Sequence, residues 1–158
     1  HMGVTNCTIR NSTLGWMGIT AIGFGTFAME NVTSYGNWFV DLREDFGSSW
    51  RGKFVVKNCT WHCSGKLHPA FHATNPGIHN FGYTCVLPNV ELDGFTVICD
   101  DPSDEKTLYI FTDPNRGVEP GAYPVELPAY MTISGGVNGV EKVALCAKDM
   151  QSVRFTVL

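Results

Sequence analysis

Four segments of the chain open on asparagine and then mostly alternate apolar with polar residues. They are Asn6-Cys7-Thr8-Ile9-Arg10-Asn11, Asn31-Val32-Thr33-Ser34-Tyr35-Gly36, Asn58-Cys59-Thr60-Trp61-His62-Cys63 and Asn89-Val90-Glu91-Leu92-Asp93-Gly94. The second residue is Cys or Val each time, and the asparagines follow one another at 25, 27 and 31 residues. Alternation of period two marks a strand with one buried face. A unit that recurs at this length marks an array whose members bury their apolar faces against neighbouring members. Strands of the same type stand between the repeats, at Gly18-Ile19-Thr20-Ala21-Ile22, Trp38-Phe39-Val40-Asp41-Leu42 and Lys53-Phe54-Val55-Val56-Lys57. Convincing helical periodicity is missing, since the one stretch that could be forced into a helix, 140–151, runs into the strand-like 152–158. Propeller blades run to ~40–50 residues, and leucine-rich repeats need a Leu ladder that this chain lacks. An all-β coil of two or three short strands joined by tight corners fits, and 17 glycines in 158 residues supply the corners.

These segments resemble the rungs of the right-handed parallel β-helix of the pectate-lyase-like superfamily, where a rung reads Asn-(Val/Cys)-(Thr/Glu)-x-(aromatic or aliphatic). The resemblance covers residues 4–100. It implies a solenoid of about five to six coils with a C-terminal strand-rich cap, the repeat averaging about 28 residues. Asparagine then sits at a corner in the left-handed or bridge conformation, and the residue after it points inward. On this register Cys7, Val32, Cys59 and Val90 form one inward ladder, and Ile9, Trp61 and Leu92 a second. The six cysteines (Cys7, Cys59, Cys63, Cys85, Cys99 and Cys146) read as buried free thiols, and the sequons at Asn6, Asn11, Asn31 and Asn58 as by-products of the repeat. His1-Met2 reads as a cloning scar, 3–100 as the coils, 101–128 as a Pro-rich loop insertion, and 129–158 as a final coil or C-terminal β cap. All eight prolines lie between Pro69 and Pro128. With no cap over the first rung, the chain is expected to be a C-terminal piece of a larger spike.

Charge narrows the partners. A net charge of −4 argues against a nucleic-acid binder that works by neutralising phosphates. No apolar run approaches the ~20 residues of a membrane span, so neither nucleic acid nor membrane is an expected partner. Charged residues are only 16% of the chain, which makes the cluster at 38–52 conspicuous. There Asp41, Glu44 and Asp45 are candidate catalytic carboxylates, of the kind glycoside hydrolysis uses in pairs. Trp38, Arg43, Trp50 and Arg51 are candidate carbohydrate-binding residues. Along a strand Asp41, Arg43 and Asp45 share one face. The competing reading is an ion pair of Arg43 with Asp45 that pins the turn at 46–52. The Arg-x-Asp-aromatic-Gly-x-x-Trp-x-Gly run resembles a turn of β-helix tailspike and appendage proteins from phages of Gram-positive bacteria.

Cys59, His62, Cys63, His68, His72 and His79 fall close together, but four residues between Cys63 and His68 are too few to fold a zinc finger. The acidic stretch from Asp93 through Asp100, Asp101, Asp104 and Glu105 has the hard oxygen ligands that calcium takes in pectate lyases, and equally the composition of a solvated turn. No metal and no cofactor is expected. Nucleophile-elbow, dinucleotide and phosphate-loop motifs are missing. The resemblance therefore implies a fragment of a phage tailspike or appendage that recognises a bacterial surface polysaccharide, as a homotrimer on the virion. A secreted or cell-surface protein is the alternative location. The alternative functions are a polysaccharide lyase or hydrolase and a segment that only trimerises the spike.

Overall fold

A computed structural model describes residues 2–3, 6–73, 81–101, 107–113, 125–145 and 154–158. Its strands are β1 (Met2–Gly3), β2 (Asn6–Arg10), β3 (Thr13–Leu14), β4 (Gly18–Ile19), β5 (Ala21–Gly23), β6 (Thr26–Glu30), β7 (Thr33–Gly36), β8 (Val40–Leu42), β9 (Ser49–Trp50), β10 (Lys53–Cys63), β11 (Phe71–Ala73), β12 (Asn89–Cys99), β13 (Thr107–Tyr109), β14 (Tyr130–Asn138), β15 (Lys142–Ala144) and β16 (Arg154–Val157). One 3-10 turn, Glu44–Phe46, is the only helical piece among the described residues. The protein is all-β, and its strand pairs are parallel.

The sheets keep the order of the chain. The largest runs β2-β6-β10-β12-β14-β16, with β3 and β7 extending it beside the second half of β10. A second sheet runs β4-β8-β11, and a third β1-β5-β9. From β6 and β7 the chain passes to β8, then β9, then returns to the first sheet as β10, one strand further on. It repeats the circuit through β11 and Val86, whose carbonyl accepts from the Trp50 N–H, before β12. Parallel neighbours need such a crossover, because a hairpin can join only antiparallel strands.

The asparagines explain how the large sheet bends. Asn11, Asn31 and Asn58 have φ of 50°, 54° and 49°, and they stack: the Asn31 amide donates to the Asn11 side-chain oxygen at 3.2 Å. Asparagine is among the few residues with a side chain that visit this region, because its short amide bonds locally. Lys57 pairs with Asp93 and Cys59 with Phe95, so the next position in the stack is Gly94, with φ of 70°. The corner is therefore Asn, Asn, Asn, then Gly.

This register corrects the expected ladders. Cys7, Phe27, Phe54, Val90 and Met131 form one column, and Val32, Cys59, Phe95 and Val137 another. Ile9 and Leu92 share a column with Met29, Val56 and Ile133, whereas Trp61 pairs with Ser34 and Val97. Asparagine recurs both at strand starts, as Asn6 and Asn89, and at the corner, as Asn11, Asn31 and Asn58. Alignment on asparagine alone superimposes the two.

The inward positions build one core, whose centre is aromatic. Phe54 lies 5.3 Å from Phe27, 5.9 Å from Trp50 and 5.2 Å from Phe71, and Phe71 lies 5.6 Å from Phe111. The five described cysteines are free; Cys59, Cys63 and Cys85 are buried, Cys99 is partly exposed, and Cys7, on β2, is exposed. Cys146 lies outside the described residues. Residues 130–138 pair with both β12 and β16, continuing the large sheet. Within the expected insertion 101–128, β13 pairs with β15 and Phe111 with Phe71.

Candidate functional site

The charged run at 38–52 spans a corner between the second and third sheets. Strand alternation ends at Leu42, where Val40, Asp41 and Leu42 are all buried, and the chain turns through Glu44–Phe46. Gly47, with φ of 76°, closes the turn by donating its N–H to the Glu44 carbonyl at 2.9 Å. Arg43 folds onto this turn. Its guanidinium clamps Asp45 through bonds of 2.8 and 2.7 Å, lies 3.8 Å from Asp41 and covers the Phe46 ring at 4.3 Å. The bidentate bond holds the Asp45 carboxyl below the usual carboxylate range and raises the guanidinium in turn. The Arg43 ion pair weighed from the sequence is thus present.

The other two carboxylates are occupied differently. The parallel register of β8 and β11 sets His72 beside Asp41, with Nδ1 2.9 Å from the carboxylate, and Trp38 stacks on the imidazole at 4.0 Å. Glu44 is 2% exposed. Burial, and then the Glu44 charge, push the Cys85 thiol up to about 11. Asp41 and Asp45 meet at Arg43, while Glu44 faces the interior.

The expected sugar-binding residues separate in the same way. Trp50 is 1% exposed; its indole N–H donates to the Gly25 carbonyl at 3.2 Å and its ring packs on Phe27 and Phe54. It is a core residue with no face for a ligand. Gly52 permits this contact, since a side chain there would strike the Gly25 carbonyl. Arg51 instead points outward and forms a bidentate ion pair with Glu126, both bonds 2.9 Å long. That pairing raises the Arg51 guanidinium further.

Arg51 stands between two depressions. One, of about 420 Å³, is lined by Phe24, Ser49, Tyr83 and Thr84; the other, of about 380 Å³, by Leu87, Asn89, Glu126 and Pro128. Phe24 is 69% exposed, a large apolar ring held in water. Tyr83 is also exposed, and it is fixed by its hydroxyl donating to the Gly47 carbonyl at 2.7 Å and by the Phe81 ring 6.0 Å away. The first depression thus sets two rings beside the Arg51 cation, and the second sets the Glu126 anion and the Asn89 amide on the other side of it, groups that suit a hydroxyl-rich ligand.

Sequence reasoning found Arg51 but passed over Phe24, Tyr83 and Glu126. Phe24 carried a readable signal, because an aromatic between Gly23 and Gly25 sits on a corner. Glu126 carried none, being 75 residues from Arg51. Elsewhere Trp16 is 55% exposed and lies over Gly18, and Tyr35 stacks on His62 at 4.4 Å. The clustered Cys and His residues disperse: Cys59 and Cys63 face inward, His62 outward, and His72 binds Asp41. No group of three metal-ligating side chains converges among the described residues. His79, Asp104 and Glu105 lie outside them. No helix among the described residues is long and apolar enough to cross a membrane. Comparison with protein-family models, with curated proteins and with solved structures yields no match.

Proposed function

We propose that the chain is a segment of a right-handed parallel β-helix, similar in plan to phage tailspikes and appendages, and that it recognises a bacterial surface polysaccharide. Three parallel sheets visited in rotation support the solenoid. One observation carries the recognition: the depression that exposed Phe24 and Tyr83 line together with Arg51, a cation paired with Glu126. Aromatic faces stack on the apolar faces of sugar rings, while Arg and Glu donate to and accept from their hydroxyls. Binding without turnover is favoured because Asp45 is committed to Arg43 and Glu44 is sealed from substrate.

The test is binding of purified wall polysaccharides and teichoic acids by the wild type, Phe24→Ala and Arg51→Ala. Each substitution, at an exposed site, weakens binding about tenfold, equivalent to ~1.4 kcal/mol, while the fold persists. Unchanged affinity in both variants, or no glycan bound by the wild type, sinks the reading. A lyase or hydrolase is favoured by a separate observation, the imidazole of His72 oriented by Asp41 as a general base is. New reducing or unsaturated ends, released by the wild type and lost in His72→Asn, support catalysis; an inert wild type removes it. In the spike reading the chain works as a homotrimer on the virion, and a purely monomeric sedimentation profile counts against the trimer.

A further inference from the structure

We propose that Cys63 and Cys99 form a thiol–disulfide exchange site that reversibly links strands β10 and β12. The parallel register sets the two residues side by side. Residues in register on parallel strands point to the same face, and strand neighbours lie ~4.7–4.9 Å apart, inside the ~4.4–6.8 Å that the Cα atoms of a disulfide span. Both thiols are free, and both reach the same turn at 64–66.

The two sulfurs differ in access. Cys63 is 0% exposed, whereas Cys99 is partly exposed. In the reduced protein each holds the same turn: Cys63 Sγ donates to the Lys66 carbonyl at 3.0 Å, and Cys99 Sγ to the Gly65 carbonyl at 2.9 Å. A small-molecule disulfide, of the glutathione class, is the oxidant that fits. The Cys99 thiolate attacks one of its sulfurs and expels one thiolate. Cys63 then gives up its proton and attacks Cys99 Sγ, forming the protein S–S bond and expelling the second thiolate. Two protein thiols are oxidised and one external disulfide is reduced to two thiols. Burial raises the Cys63 thiol to about 11, so the second step quickens as pH rises. Oxidation joins adjacent turns of the chain and removes both S–H donors from the turn at 64–66, leaving the Gly65 carbonyl with the Asp101 N–H at 3.1 Å.

The experiment treats the full chain with oxidised glutathione at about pH 8.5, near an ordinary thiol pKa, then denatures, alkylates and maps it by mass spectrometry. Two of the six cysteines lose alkylation, and a linked peptide containing Cys63 and Cys99 appears, two hydrogens lighter than its parts. Dithiothreitol reverses it, Cys7→Ser leaves it unchanged, and Cys99→Ser or Cys99→Ala abolishes it. A mixed disulfide that persists on Cys99, a link from either residue to Cys7, Cys59, Cys85 or Cys146, or six thiols still alkylated overturns the proposal.

Discussion

Asparagine matters here for a backbone angle before it matters for any bond. At Asn31 the φ of 54° lies where a side chain with a Cβ ordinarily costs ~1–2 kcal/mol, and the amide offsets part of that by donating to Asn11. Asn31→Ala keeps the strain and loses the bond, so it lowers unfolding stability by ~1–2 kcal/mol in denaturant titration. Asn31→Gly relieves the strain and costs markedly less, the order set by Gly94 occupying the same corner. If alanine and glycine prove equal, the corner is not what the asparagines are for. This conformation was legible in the sequence, because few other residues recur at a corner for the same reason. The substitution of Gly94 for asparagine was not, since a single glycine looks like any turn.

At the scale of an element, the turn from Arg43 to Gly47 decides which carboxylates are exposed to a ligand. Period-two logic put Asp41, Arg43 and Asp45 on one face, and they do meet. They meet because the chain leaves the strand at Leu42 and Arg43 folds back, which no pattern of polar and apolar residues encodes. Trp50 defeated the sequence reading for a related reason: close approach of Gly25 and Gly52 gives its indole N–H a backbone acceptor, so it behaves as core. The Asp45 carboxyl is held below its unfolded value of about 3.9 by Arg43. The folded state therefore binds fewer protons there, and the stabilisation is complete above about pH 4 and lost as pH falls through the depressed native value. Asp45→Asn should destabilise the protein at neutral pH and lessen the decline of stability below pH ~4. Thermal melts across that range check it, and an unaltered pH profile would show that the clamp contributes nothing.

For the whole molecule, the repeat predicted parallel all-β structure correctly, while the path of individual columns had to come from register. In the proposed solenoid each turn is buried against its neighbours, so the effect of a lesion should fade with distance along the sheet. Phe54 is the place to create one. It is 0% exposed, ringed by Phe27, Trp50 and Phe71, and in register with Phe27 of β6 and Val90 of β12. Phe54→Ala costs ~3–5 kcal/mol, the usual range for removing a buried ring. Amide exchange resolves where that loss falls. In the wild type the slowest amides belong to β10 and β12, which are paired on both sides, and the faster ones to β2 and β16, which pair on one side among the described residues. In Phe54→Ala, protection drops in β6, β10 and β12 while β16, two strands beyond β12, keeps its own rates. Equal loss of protection in β16 would mean that the sheets unfold as one cooperative block, and the nearest-neighbour stack would have to be abandoned.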